Sequence, residues 1–86
     1  MDAFELAILR NLFYHGYIGG RHTAIENLYR GFPSHLRGDA EKAAERLLKH
    51  GWLVRKTTGY GLQVSINPLM LPALKKELEV ERAAGG

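Results

Sequence analysis

The spacing of apolar residues changes at Gly51, from a helical period before it to strand-like segments after it. Between Asp39 and His50, apolar residues occupy positions 40, 43, 44, 47 and 48, which is the spacing of one buried helix face. Residues 52–58 and 62–66 are rich in β-branched and aromatic side chains, and a glycine-containing turn separates them. The pattern predicts a helix over 39–50, a glycine stop and a β-hairpin.

The chain begins with a second helical pattern. Asp2 is followed three residues later by Glu5, which is the spacing of a capping box. The predicted helix ends near Gly16, and the short apolar pair Tyr17-Ile18 is a candidate third strand of the sheet. One face of this helix is apolar and consists of Phe4, Ile8, Leu9, Leu12 and Phe13.

A short helix is predicted between these two patterns. Thr23 and Glu26 repeat the capping-box spacing ahead of residues 24–30. Gly31 stops this helix and Pro33 prevents its continuation, so residues 32–38 form the turn that leads into the helix over 39–50.

The end of the chain predicts one more helix, over 69–82. Leu71, Leu74 and Leu78 share one face, and a proline is tolerated in the first turn. This stripe can either close the chain's own core or contact the same helix of a second copy, which would give a homodimer. We expect one domain over 1–82 and a disordered tail over 83–86.

Length and charge narrow the class of protein. The chain has 86 residues and no cysteine, so the sequence predicts one small domain without disulfides or a cysteine-ligated metal. No apolar run reaches the roughly 20 residues that a transmembrane helix needs, and we expect a soluble, cytoplasmic protein. Residues 10–67 hold nine Lys or Arg against four acidic residues, a net +5 that indicates a polyanionic partner.

Around Gly51 the chain has a leucine four residues before the glycine, followed by two apolar strand residues and two basic ones, Leu47-Leu-Lys-His-Gly-Trp-Leu-Val-Arg-Lys56. With this motif at its centre, the stretch from Thr23 to Asn67 resembles the winged helix-turn-helix superfamily of small prokaryotic DNA-binding proteins, including small archaeal members. The resemblance implies an α+β winged helix-turn-helix fold. It has three helices, a β-wing of two or three strands, and here an added C-terminal helix.

The resemblance also implies a site for double-stranded DNA and a role in transcription regulation. The helix over 39–50 would enter the major groove, and the wing over 55–60 would contact the backbone or the minor groove. The predicted DNA-binding side chains are basic, hydroxylic or aromatic and lie outside the predicted core. They are Arg37, Lys42, Arg46, Lys49, Arg55, Lys56, Thr57, Thr58 and Tyr60.

Two alternatives stay open. Glu41 and Glu45 lie on the same helix as the basic residues Lys42, Arg46 and Lys49. A carboxylate near phosphate is repelled unless it accepts a hydrogen bond from a cytosine amino group or orients an arginine. In the first alternative, the basic face of the helix over 39–50 is only a solvated surface. In the second, the domain is a winged-helix module that binds protein or structured RNA instead of DNA. In either case the wing is the safer candidate for a nucleic-acid contact.

No pattern indicates an enzyme, a cofactor or a metal. Ser34 and His35 are neighbours, but sequence adjacency does not supply the third group that a nucleophile and base need. The four histidines lack the i, i+4 spacing of a helical metal site. We expect His15 and His50 to cap helix ends and Trp52 to anchor the wing strands in the core.

Overall fold

A computed structural model describes the backbone of residues 1–85 and the side chains of residues 1–80. Within that range the chain is α+β, with four α-helices and one antiparallel sheet of three strands. The helices are α1 Ala3–Tyr14, α2 Asn27–Arg30, α3 Arg37–Lys49 and α4 Leu71–Gly85. The strands are β1 Thr23–Ala24, β2 Leu53–Thr58 and β3 Gly61–Ile66, and two 3₁₀ turns, Ser34–Leu36 and Pro68–Met70, precede α3 and α4.

The sheet is built around β3, its central strand. Strand β2 pairs with β3 along its whole length, from Leu53 opposite Ile66 to Thr58 opposite Gly61. Strand β1 pairs with the other edge of β3, where Thr23 lies opposite Val64. Both pairings are antiparallel, so one edge of the hairpin is extended by the segment that precedes α2.

The core lies between the helices and one face of the sheet. It is formed by aliphatic side chains from all four helices and from β2 and β3, and the partly buried aromatic residues Phe4, Phe32 and Trp52 pack against it. The predicted inner face of α3 is confirmed, because Ala40, Ala43, Ala44 and Leu47 are fully buried and Leu48 is half-buried. The charged side chains of α3 therefore lie outside the core.

The predicted start of α1 and the predicted glycine stops after α1 and α3 are confirmed. Asp2 and Glu5 form a complete capping box at the start of α1. Gly16 and Gly51 have φ of 74° and 79° and follow the last turns of α1 and α3, a conformation that glycine adopts without steric cost. His15 caps α1 as predicted, since its Nδ1 lies 2.8 Å from the carbonyl oxygen of Asn11.

Two predictions between α1 and α3 are wrong. Tyr17-Ile18 is not the third strand, since Ile18 makes only an isolated parallel bridge to Ile66 and Gly19 turns the chain away with φ of 61°. The third strand is instead β1, which the sequence assigned to a helix. Thr23 does not cap a helix, because it pairs with β3 and its hydroxyl accepts a hydrogen bond from the Asn27 side chain. Helix α2 is consequently reduced to Asn27–Arg30, and no side chain caps it.

The leucine stripe of α4 packs inside the chain. Leu74 is fully buried, and Leu71 and Leu78 pack against the core, where α4 contacts α1. Helix α4 continues to Gly85, past the predicted end at 82. The predicted tail, 83–86, includes Gly86, which lies outside the described residues. None of the helices in the described part is long and apolar enough to cross a membrane.

Candidate nucleic-acid interface

The wing hairpin presents one basic residue on each of its two faces. Successive residues of a strand point to opposite faces, so Arg55 and Lys56 leave β2 on opposite sides. Arg55 lies opposite Val64 and Lys56 lies opposite Gln63, and both basic side chains are exposed. Residues 51–67 contain no Asp or Glu. The charged residues of the wing are thus exclusively cationic, and both of them are exposed to solvent.

The tip of the wing is a two-residue connection that its own backbone and side chains brace. The Thr58 hydroxyl donates to the carbonyl oxygen of Gly61 at 3.0 Å and accepts from the amide of Tyr60 at 3.1 Å. Gly61 has φ of 109°, a conformation that residues other than glycine rarely adopt. These features hold Tyr60 at the end of the hairpin, where it is 98% exposed. Thr57, next to the tip, is also exposed.

The outer surface of α3 carries the other predicted contacts in a less uniform arrangement. Lys42 and Lys49 are exposed, seven residues apart and therefore on one side of the helix. Arg37 is the first residue of α3 and is exposed, and its Nε donates to the carbonyl oxygen of Phe32 at 3.4 Å. Arg37 therefore lies against the turn that leads into α3, beside the beginning of the helix.

The structure separates Arg46 from the two lysines with which the sequence grouped it. Its Nη2 lies 2.7 Å from Oδ2 of Asp2, and its Nε lies 3.8 Å from Oε2 of Glu5. Arg46 is half-buried in this position against the first turn of α1. The cation that the spacing of α3 assigns to the free surface is therefore neutralised by a neighbouring helix.

The side of α3 near α2 is acidic. Tyr29 of α2 has its pKa raised above the usual tyrosine value, first by burial and then by the negative charges of Glu41, Glu45 and Glu26. We call these three carboxylates, each of which acts on the Tyr29 phenol, the acidic cluster. A phosphate backbone would be repelled there.

A groove of about 400 Å³ lies between α1 and α2. Buried Ile8 and Leu28 and half-buried Phe32 supply its apolar lining, and Asn11 and His15 line it with polar groups. None of its lining residues is Lys, Arg, Asp or Glu, so the groove adds nothing to the basic surface. In the described part of the chain, no three His, Asp or Glu side chains are grouped so that they could hold a metal ion.

No local pattern in the sequence indicates the ion pair of Arg46 with Asp2 and Glu5. The spacing of Asp2 and Glu5 predicts capping alone, which uses one oxygen of each carboxylate. The second oxygens were a usable signal, because a carboxylate accepts several hydrogen bonds. The identity of their partner depends on how α1 crosses α3, and no local pattern specifies that crossing.

Comparison with known proteins adds no relative to this description. Neither a protein-family model, nor a curated protein sequence, nor a solved structure matches the chain. Membership of the winged helix-turn-helix superfamily therefore stays a prediction that rests on the residues and on a compatible arrangement of helices and strands.

Proposed function

We propose that this chain is a winged helix-turn-helix protein that binds double-stranded DNA and regulates transcription. The observation that carries the proposal is the wing, a basic hairpin without Asp or Glu whose tip exposes Tyr60 almost completely. The order of elements supports it, because a strand lies between α1 and α2 and the hairpin follows α3 directly. In such an arrangement the helix before the hairpin lies in the major groove and the hairpin contacts the adjacent backbone.

In this proposal the wing is the main contact with DNA. Arg55 and Lys56 project from opposite faces of β2, so a hairpin that enters a groove tip-first directs one cation to each phosphate strand. Tyr60 at the tip packs against a sugar or the groove wall, since its ring reaches no part of the chain's own core. Thr57 and Thr58 border this contact, and Thr58 also braces the turn.

Helix α3 has a smaller role in this proposal. Lys42 and Lys49 contact phosphates along the major groove, and Arg37 lies near the start of the helix. Glu41 and Glu45 keep the α2 side of the helix away from the backbone. The predicted homodimer is not supported by the leucines of α4, because Leu74 is fully buried within the chain.

A second candidate function is favoured by the acidic cluster of Glu26, Glu41 and Glu45. A winged-helix module that docks a protein or a structured RNA would use the wing for charge and the acidic side of α3 to select its partner. The cluster lies beside the surface that would enter a major groove, which is the reason to retain this alternative.

Titration of a random-sequence DNA duplex at several salt concentrations tests the proposal. Phosphate contacts release counterions, so the logarithm of the affinity should fall linearly with the logarithm of the salt concentration, with a slope of roughly −0.9 per phosphate contact. Lys56→Ala should weaken the binding and make that slope shallower. No binding at low salt would contradict DNA binding, and tighter binding to a hairpin RNA than to duplex DNA would favour the second candidate.

A further inference from the structure

The first turn of α1 holds a cation that belongs to α3. The shorter of the two contacts joins Nη2 of Arg46 to Oδ2 of Asp2 at 2.7 Å, and Nε of Arg46 lies 3.8 Å from Oε2 of Glu5. The residues are 44 positions apart in the chain, so this is a tertiary contact between helices. It joins two elements that the core already packs together.

Each carboxylate divides its two oxygens between two tasks. Oδ1 of Asp2 accepts from the amide of Glu5 at 2.8 Å, and Oε1 of Glu5 accepts from the amide of Asp2 at 3.0 Å. The other oxygens, Oδ2 and Oε2, are the ones that face Arg46. Because the capping box already fixes both carboxylates, little side-chain freedom is lost when they bind the guanidinium.

The contact is accessible to a competing anion. The side chains of Arg46 and Asp2 are 42% and 49% exposed, and ion pairs between such groups are weak and screened by salt. A phosphate oxygen accepts hydrogen bonds from a guanidinium in the same way as a carboxylate oxygen does. Arg46 also lies on the same helix as Lys42 and Lys49, so a duplex held by these lysines brings phosphates towards it.

We infer that Asp2 and Glu5 compete with the nucleic-acid backbone for Arg46, so that the first turn of α1 regulates the nucleic-acid surface. This inference rests on the proposed function and adds to it a self-inhibiting contact. In the free chain the carboxylates neutralise Arg46. In the complex they still hold Arg46 away from phosphate, so that removing their charges frees it for one more phosphate contact.

The test uses substitutions that remove charge and keep the helix cap. Asn is as good an N-cap as Asp, and Gln replaces Glu in capping boxes, so Asp2→Asn with Glu5→Gln leaves α1 capped. This double variant should bind a random-sequence duplex about twofold to fivefold more tightly, the range expected from releasing an exposed ion pair. Its log–log salt slope should be steeper by about 0.9, which corresponds to one additional phosphate contact.

A double-mutant cycle separates release of Arg46 from simple loss of negative charge. When the same two substitutions are made in an Arg46→Gln background, the gain in affinity should disappear. Glu77→Gln with Glu79→Gln, which removes two exposed carboxylates from α4, is the matched control and should give neither the gain nor the steeper slope. A cooperative urea unfolding transition establishes that each variant is folded.

The outcomes distinguish this inference from the proposed function. Two results would overturn the competition for Arg46 and leave DNA binding intact. In the first, Asp2→Asn with Glu5→Gln binds the duplex no more tightly than the wild type. In the second, the gain in affinity persists in the Arg46→Gln background. No binding of the duplex by any variant at low salt overturns both. A gain that depends on Arg46, together with the steeper slope, supports both.

Discussion

Helix α3 carries four Lys or Arg residues and the wing hairpin carries two, but only the wing has no acidic residue beside its cations. On α3, Arg46 is paired with two carboxylates of α1, and Glu41 and Glu45 border the helix on the side of Tyr29. On the wing, Arg55 and Lys56 are exposed and no acidic residue lies between positions 51 and 67. The difference shows that a charge count along the chain does not measure the charge that a partner meets.

The surroundings of each element explain the difference. Helix α3 packs against α1 and α2, and its buried alanines bring those neighbours close. A close neighbour places its own polar side chains beside the exposed ones of α3. The tip of the hairpin extends from the core, with Tyr60 almost fully exposed. The exposed cations of the wing therefore meet solvent or a partner, whereas Arg46 of α3 meets the first turn of α1.

The largest expected effect concerns stability and contrasts the buried side of α3 with the wing tip. Leu47→Ala removes a fully buried side chain and should lower the free energy of unfolding by about 2–5 kcal/mol. Such a loss is a large fraction of the roughly 5–15 kcal/mol typical of a domain. Tyr60→Ala at the exposed tip is the matched control and should change stability by no more than about 0.5 kcal/mol.

Urea unfolding followed by circular dichroism measures both values. Equal losses for Leu47→Ala and Tyr60→Ala would contradict the contrast, because they would mean that the ring at the tip packs against the chain. A loss confined to Leu47→Ala supports a wing tip that is free to contact a partner.

A smaller effect tests the acidic side of α3. Burial, then Glu41, Glu45 and Glu26, raise the pKa of Tyr29, so folding favours its protonated form. This contribution to stability is complete below the pKa of tyrosine in the unfolded chain, about 10, and is lost as pH rises through the higher pKa of the folded state. Replacing Glu41 and Glu45 with Gln should lower the pKa of Tyr29 towards its usual value.

The difference in ultraviolet tyrosinate absorbance between each protein and its Tyr29→Phe variant isolates this titration. Glu77→Gln with Glu79→Gln should leave the titration of Tyr29 in place, since those carboxylates lie on α4. If Glu41→Gln with Glu45→Gln also leaves it in place, the two glutamates are not close to Tyr29, and the objection to α3 as a phosphate contact is removed.

The sequence predicts those parts of the fold that local patterns determine. The capping box of Asp2 and Glu5, the stop at Gly51 and the buried face of α3 follow from spacing and backbone preference, and the structure confirms them. The hairpin and its turn follow from β-branched residues around glycines. Each of these signals acts within a few residues.

The parts that depend on distant partners could not be predicted. Thr23 has the spacing of a capping box, but in the structure it pairs with the edge of β3 as part of a strand. This pairing depends on the assembled sheet and not on the local sequence. The same holds for Arg46, which helical spacing assigns to the free surface and which α1 then captures. In the candidate site, exposure at the wing followed from local sequence, and neutralisation on α3 did not.

The central claim is that the wing contributes more to nucleic-acid binding than α3 does. The most direct test compares the salt dependence of duplex DNA binding for Arg55→Ala with Lys56→Ala against that for Lys42→Ala with Lys49→Ala, two variants that remove the same charge. We predict that the wing variant makes the log–log slope shallower by about 1.8, as expected for two lost phosphate contacts, and that the α3 variant makes it shallower by less. Equal slopes for the wing variant and the wild type, with a much shallower slope for the α3 variant, would contradict the claim.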